Sequence, residues 1–214
     1  MGLSVTGENN RLLIVENGEE REINEEIPGF EIEISGNNNL IRIEYPQCFE
    51  KSRLKIVGDN NEFSKKASVR KTADSFFYVG NGSRITIGRN CFFNGGIGVF
   101  AKEKTGVSVV LGDDVIIGSG SVIRTGDGHT IVDAGSRDPL NEPRDIKIGS
   151  HVWVGARVML LKGAEIGAHS IVGAMSLVNK KFDEKNVIIA GVPARVIRRD
   201  VDWDISDYAA YTEI

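Results

Sequence analysis

Three histidines stand at unequal places in this 214-residue chain, and each suggests different chemistry. His129 follows Asp127-Gly128 inside a polar stretch that also carries Pro139 and Pro143. An imidazole there can leave any regular wall, project into a cleft and take a proton from a weak nucleophile, because its pKa lies near neutrality. The plainer alternative is a surface-loop histidine. From His129 to His151 to His169 the spacings are 22 and 18, and a metal site demands enough ligands converging at one point. His151 and His169 are expected to stack as polar exterior residues, and no metal is expected. Cys48 and Cys91 form neither a disulfide framework nor a close zinc pair. Lys180, Arg195 and Arg198 gather late in the chain, where cations can hold phosphate and arginine can grip it in two prongs; the alternative is a solvated terminus. Trp153 falls in an outward slot, where its amphipathic ring can wall off a cleft from water or pack between subunits.

The elements that position these residues follow an unusual period. Ile148, Val154, Leu160, Ile166, Val172 and Val178 lie six apart, and Gly149, Gly155, Gly167 and Gly173 follow four of them. The same beat runs through Leu111, Ile117 and Ile123 and begins at Ile87 and Phe93. A helix repeats its apolar residues at three and four, and a half-buried strand at two. A period of six fits a three-sided solenoid with one inward side chain per side. Small residues such as Ser121, Ser170 and Ser176 suit its tight corners.

Three regions are expected. Residues 1–82 form irregular N-terminal β coils, with Gly36, Gly58 and Gly80 spaced 22 apart in Gly/Asn corners that tolerate positive φ. For residues 1–50 an antiparallel meander is the alternative. Residues 83–198 carry the repeat, with a disturbance around Lys102-Glu103-Lys104 and an external loop over about 126–144. A loop of that length inside a compact domain is usually functional or disordered. Residues 199–214 form an acidic tail or short cap.

Composition narrows the function classes. A net charge of −4 argues against a generic nucleic-acid surface. No apolar run reaches the ~18 residues of a membrane span, and no secretory signal opens the chain. Met1-Gly2 to Thr6 meets the loose myristoylation pattern, with nothing else pointing to a membrane. A cytoplasmic location is expected.

The hexapeptides, together with the closing Gly191-Val192-Pro193-Ala194-Arg195, resemble the hexapeptide-repeat acyltransferases over residues 85–198. Asp127-Gly128-His129, His151-Val152-Trp153-Val154-Gly155-Ala156 and that close point to the galactoside, maltose and capsular-polysaccharide O-acetyltransferase branch. The resemblance implies an all-β, left-handed parallel β-helix, although parallel crossovers in general are about 98% right-handed. It further implies a homotrimer with active sites between subunits, acetyl-CoA as donor and a carbohydrate acceptor, with a capsular or lipopolysaccharide glycan favoured over a small free sugar. His129 matches the family's catalytic base, and Trp153 its active-site tryptophan. Asp127 or Asp133 would orient the imidazole. Asn94 aligns with an asparagine near the acceptor, with a plain turn beside Gly95-Gly96 as the alternative; Asp127 is taken with it on the acceptor side. Ala156, Ala174, Asn179, Lys180, Arg195 and Arg198 fall on acetyl-CoA positions, Asn179 standing where relatives commonly carry threonine. The carbonic anhydrases that share this helix bind metal through three histidines, but with a closer pair than exists here. Two other readings stay open: an N-acetyltransferase of an amino sugar nucleotide, and a β-helical scaffold without catalysis.

Overall fold

The computed structural model describes residues 2–103 and 106–206. Met1 of the myristoylation pattern, Lys104 of the disturbed stretch and residues 207–214 of the tail lie outside them. Among the described residues there is no helix, and none that could cross a membrane.

The chain winds as a left-handed parallel β-helix with three faces. Three ladders of inward side chains set its register. Phe93, Ile117, Val154, Val172 and Ile189 line face one. Val99, Ile123, Leu160 and Val178 line face two. Ile87, Leu111, Ile148, Ile166 and Phe182 line face three. All are buried, and each fully buried aliphatic contributes on the order of 1.5–3 kcal/mol. The period of six in the sequence is thus the length of one side.

Corners are turned by residues in the left-handed region. Asp114, His151, Arg157, His169 and Met175 all have φ between 56° and 59°. Glycine is required where coils approach most closely: a Cβ on Gly155 would lie 2.7 Å from the backbone nitrogen of Ala174. Buried serines satisfy the corner backbone, as where Ser121 Oγ donates to the Gly155 carbonyl and accepts from Val158 N–H, both at 3.1 Å.

Insertions interrupt the coils without moving the ladders. A plain coil, such as the one from Val154 to Val172, has three sides of six. The step from Ile117 to Val154 is more than twice as long, so that coil carries an excursion longer than a whole further turn. From Phe93 to Ile117 the excess is the length of one extra side.

The N-terminal strands also pair in parallel, from Leu3–Thr6 through Phe30–Ser35, Ser52–Val57 and Lys71–Gly80. Among the described residues up to 50, antiparallel pairing is confined to one hairpin, Arg11–Glu16 with Glu19–Glu22, and the isolated Ile27–Phe30 bridge. The even glycine spacing slips by one at its second step. Ile34 pairs with Ile56, but Ile56 pairs with Val79. Gly58 therefore stacks near Asn81, which takes the left-handed corner at φ 58°, while Gly80 ends its strand. An asparagine ladder joins these coils: Asn61 Nδ2 donates to Asn39 Oδ1, and Asn39 Nδ2 to Asn10 Oδ1, each at 2.9 Å. The core here is wider and filled by aromatics, with Phe63 and Phe77 ring centroids 5.2 Å apart. One rung is anomalous. Lys65 stands between Ile43 and Ile87 in the face-three ladder and is 1% exposed.

Candidate active site

Three edges join the faces, and the candidate residues divide among them. Edge one, after face one, carries Asn94 with Gly95-Gly96, then Ala156 and Ala174 in successive coils. Met175 N–H donates to the Ala156 carbonyl at 2.9 Å, which stacks these small, exposed positions directly. Edge two, after face two, carries the long excursion, Lys162 and then Asn179-Lys180. Edge three, after face three, carries His151 and His169.

The excursion leaves after Thr125 and returns at Arg144, whose N–H donates to the Thr125 carbonyl at 2.9 Å. Arg124 anchors the stem, donating through Nε to the Gly126 carbonyl at 2.7 Å and pairing with Glu103 at 3.3 Å. Inside it, Asn141 Nδ2 donates at 2.8 Å both to the Asp127 carboxylate and to the His129 carbonyl. Asn141 Oδ1 in turn accepts the Ile131 N–H at 2.7 Å. Lys162 reaches up from the wall to the Asp127 carboxylate and to the Asn141 carbonyl at 3.1 Å. The Lys162 and Asn141 hydrogen bonds hold the Asp127 carboxyl below its usual range.

His129 is exposed and lines a cavity of about 400 Å³ together with Asp127, Tyr78, Asn81, Lys102 and Asn141. The cavity is polar, with the Tyr78 ring as its aromatic surface and Lys102 Nζ 4.8 Å from that ring's centroid. The two carboxylates expected to orient the imidazole are engaged elsewhere. Asp127 holds Lys162 and Asn141, and Asp133 accepts the N–H groups of Gly135 and Ser136 in its own turn, at 2.9 and 2.8 Å. Both N–H groups lower the Asp133 carboxyl pKa, Ser136 more strongly.

Trp153 stands on face one and is 45% exposed. In a three-sided coil, edge two lies opposite face one. One chain therefore holds His129 and Trp153 on opposite sides, and Asn94 apart from Asp127. The six donor-binding candidates divide likewise. Ala156 and Ala174 share edge one, Asn179 and Lys180 share edge two, and Arg195 and Arg198 lie on the terminal strand Ala194–Arg199, which pairs antiparallel with Val187–Gly191. All six are exposed.

The expected stacking of His151 and His169 is present, with ring centroids 5.0 Å apart. Three contributors had no signal in the sequence. Asn141 and Lys162 are single polar residues without periodicity. Trp203 folds back from the tail to lie flat on His151, centroids 4.3 Å apart and planes 10° apart, and 6.3 Å from the Trp153 ring.

Comparison with known proteins agrees with this architecture. The family described as bacterial transferase hexapeptide (six repeats) matches residues 145–180. The polysialic acid O-acetyltransferase of Escherichia coli O1:K1 / APEC is 32% identical over 60% of this chain and 40% of its own length. The galactoside O-acetyltransferase of Escherichia coli K12 is 33% identical over 64% of this chain and 66% of its own. The chain thus spans less than two thirds of the length of each. The crystal structure of the polySia-specific acetyltransferase NeuO superposes with a TM-score of 0.79 at 29% identity, covering 95% of this chain and 88% of that one.

Proposed function

The chain belongs to the hexapeptide-repeat acyltransferase family, and from that premise we propose that it is a cytoplasmic, homotrimeric O-acetyltransferase. It moves acetyl from acetyl-CoA to a hydroxyl of a carbohydrate, with a capsular or lipopolysaccharide glycan as the favoured acceptor class. The names of the polysialic acid and galactoside relatives support transfer to a glycan hydroxyl. The division into N-terminal coils over 1–82, a repeat wall over 83–198 and a tail over 199–214 belongs to the same proposal.

One observation carries it: an exposed histidine is held over a polar cavity by a cross-braced excursion from an otherwise regular wall. In this reading His129 removes the acceptor hydroxyl's proton as that oxygen attacks the thioester carbonyl. The acetyl group passes directly to oxygen, and the thiol leaves with a proton. Positioned general-base help of this kind contributes about 10²–10⁴ in rate, and holding both substrates together supplies more. Tyr78 offers a ring face and Asp127, Asn81 and Lys102 offer polar partners to a sugar.

The opposite placement of His129 and Trp153 supports a site completed by a neighbouring subunit. The excursion of one chain would meet face one and edge one of the next, adding Trp153 and Asn94. The small stacked positions Ala156 and Ala174 fit close approach by the extended pantetheine arm. Exposed Lys180, Arg195 and Arg198 fit its phosphates. Acetyl-CoA supplies the activated acyl group; these residues bind, orient and keep water away from it.

The test is acetyl transfer from labelled acetyl-CoA to polysialic acid, other capsular glycans and amino sugars. The expected product is an alkali-labile ester, abolished by His129→Ala. Acetylation of amines alone, or a His129→Ala protein of undiminished activity, would overturn the proposal.

A further inference from the structure

Edge three holds a second cluster that acetyl transfer does not use. His151 and His169 occupy the same corner in successive coils, at φ 56° and 58°, and the corners are tied by the His169 N–H to the Ser150 carbonyl at 3.1 Å. The chain then returns to them after the last hairpin. Asn186 exchanges hydrogen bonds with Val201, donating from Nδ2 to its carbonyl and accepting its N–H on its own carbonyl, both at 3.1 Å. This delivers Asp202 and Trp203 to the two imidazoles.

The Asp202 carboxylate sits between the rings. Its Oδ1 is 3.4 Å from His151 Nε2 and its Oδ2 is 3.2 Å from His169 Nδ1. All three ligand atoms lie within 4.8 Å of one another. A tetrahedral ion with ligand bonds of about 2.0–2.2 Å sets its ligands about 3.3–3.6 Å apart. Both carboxylate–imidazole separations are close to that edge length, each imidazole facing its own oxygen of the carboxylate. Two imidazoles with one carboxylate is a donor set suited to zinc and neighbouring first-row ions rather than to calcium or magnesium.

The surroundings hold the carboxylate and the His151 ring in place. Trp203 N–H donates to Asp202 Oδ1 at 2.9 Å. Trp203 Nε1 donates to the His151 carbonyl at 2.9 Å while its ring lies flat on the imidazole. His151 Nε2 donates to the Trp203 carbonyl oxygen at 3.0 Å; an incoming ion would displace that proton and find the oxygen within reach as a fourth donor.

We propose that His151, His169 and Asp202 form a binding site for a divalent transition cation, zinc above all, that latches the tail onto edge three. With the tail latched, Trp203 is held beside Trp153. The site is structural and takes no part in moving acetyl, so it stands or falls separately from the transferase reading.

The experiment is calorimetric titration of the tag-free, chelator-stripped full chain with zinc chloride, alongside cobalt(II) absorption and tryptophan fluorescence. One zinc per chain, a tetrahedral cobalt spectrum and a change in tryptophan emission are expected. His169→Ala and Asp202→Asn each alter exposed side chains, and each should weaken binding about tenfold or more. No saturable zinc binding would overturn the proposal, and so would equal binding by both variants.

Discussion

The amide of Asn141 donates to the backbone carbonyl of His129 at 2.8 Å, so the returning limb of the excursion holds the residue at the head of the outgoing one. The same nitrogen also reaches Asp127. The imidazole's place over the cavity thus depends on an amide from the far limb of its own loop.

Asn141→Ala should therefore lower kcat/KM for acetyl transfer by about tenfold or more, since each net hydrogen bond is worth about 0.5–1.5 kcal/mol and charged partners more. Asn141 lies outside the coil ladders, so the melting temperature should move little. Steady-state kinetics beside thermal unfolding measures the separation.

Acid should open the excursion before it unfolds the coil. Lys162, and then Asn141, hold the Asp127 pKa below its ordinary 3.8. The folded group has the lower pKa, so its contribution is full above the ordinary value and is lost as pH falls through the folded one. Limited proteolysis between residues 126 and 144 should rise below about pH 4. Lys162→Met should raise cleavage at pH 7 and flatten that dependence.

Lys65 interrupts an apolar ladder. Burial pulls its pKa down to about 8, with Cys91 opposing more weakly, and its Nζ has no hydrogen-bond partner among the described residues. Below about pH 8 the folded state must carry a charge in an aliphatic stack. Because the folded pKa is the lower one, stability should rise with pH between about 8 and 10.5. Lys65→Met should stabilise the protein by on the order of 3 kcal/mol at pH 7 and abolish that rise. Denaturant titrations at pH 7, 9 and 10.5 read both effects.

Asn39→Ala should cut the asparagine ladder in the middle. It removes the acceptor for the Asn61 side chain and backbone N–H, both at 2.9 Å and both buried. A loss of about 1–3 kcal/mol is expected. Hydrogen exchange should show faster opening in residues 36–62 than in the coils after Ile87.

The wall was legible because its physics is repetitive. Ile148 through Val178 each do the same thing at the same interval, and six per side has no competitor among helices and simple strands. The place where His129 leaves the wall was legible for the same reason, as a break in the count between Ile123 and Ile148. Single events were not. Gly80 looked equivalent to Gly36 and Gly58, but one added residue before Val79 passed the corner to Asn81. Asn141 and Lys162 matter through particular hydrogen bonds that no period announces. Trp203 meets His151 from far along the sequence because the chain doubles back after the last hairpin. Spacing along the chain argued against metal among three histidines, and it could not reveal that an aspartate from the tail joins two of them.

The segment spliced in between Ile123 and Ile146 leaves every rung above and below in line. Each coil exchanges backbone hydrogen bonds only with its neighbours, so a corner can accept new chain without a penalty elsewhere. The excursion can then be recut while the column beneath it keeps its dimensions. Descendants of one such column can diverge in taste without having to relearn how to fold.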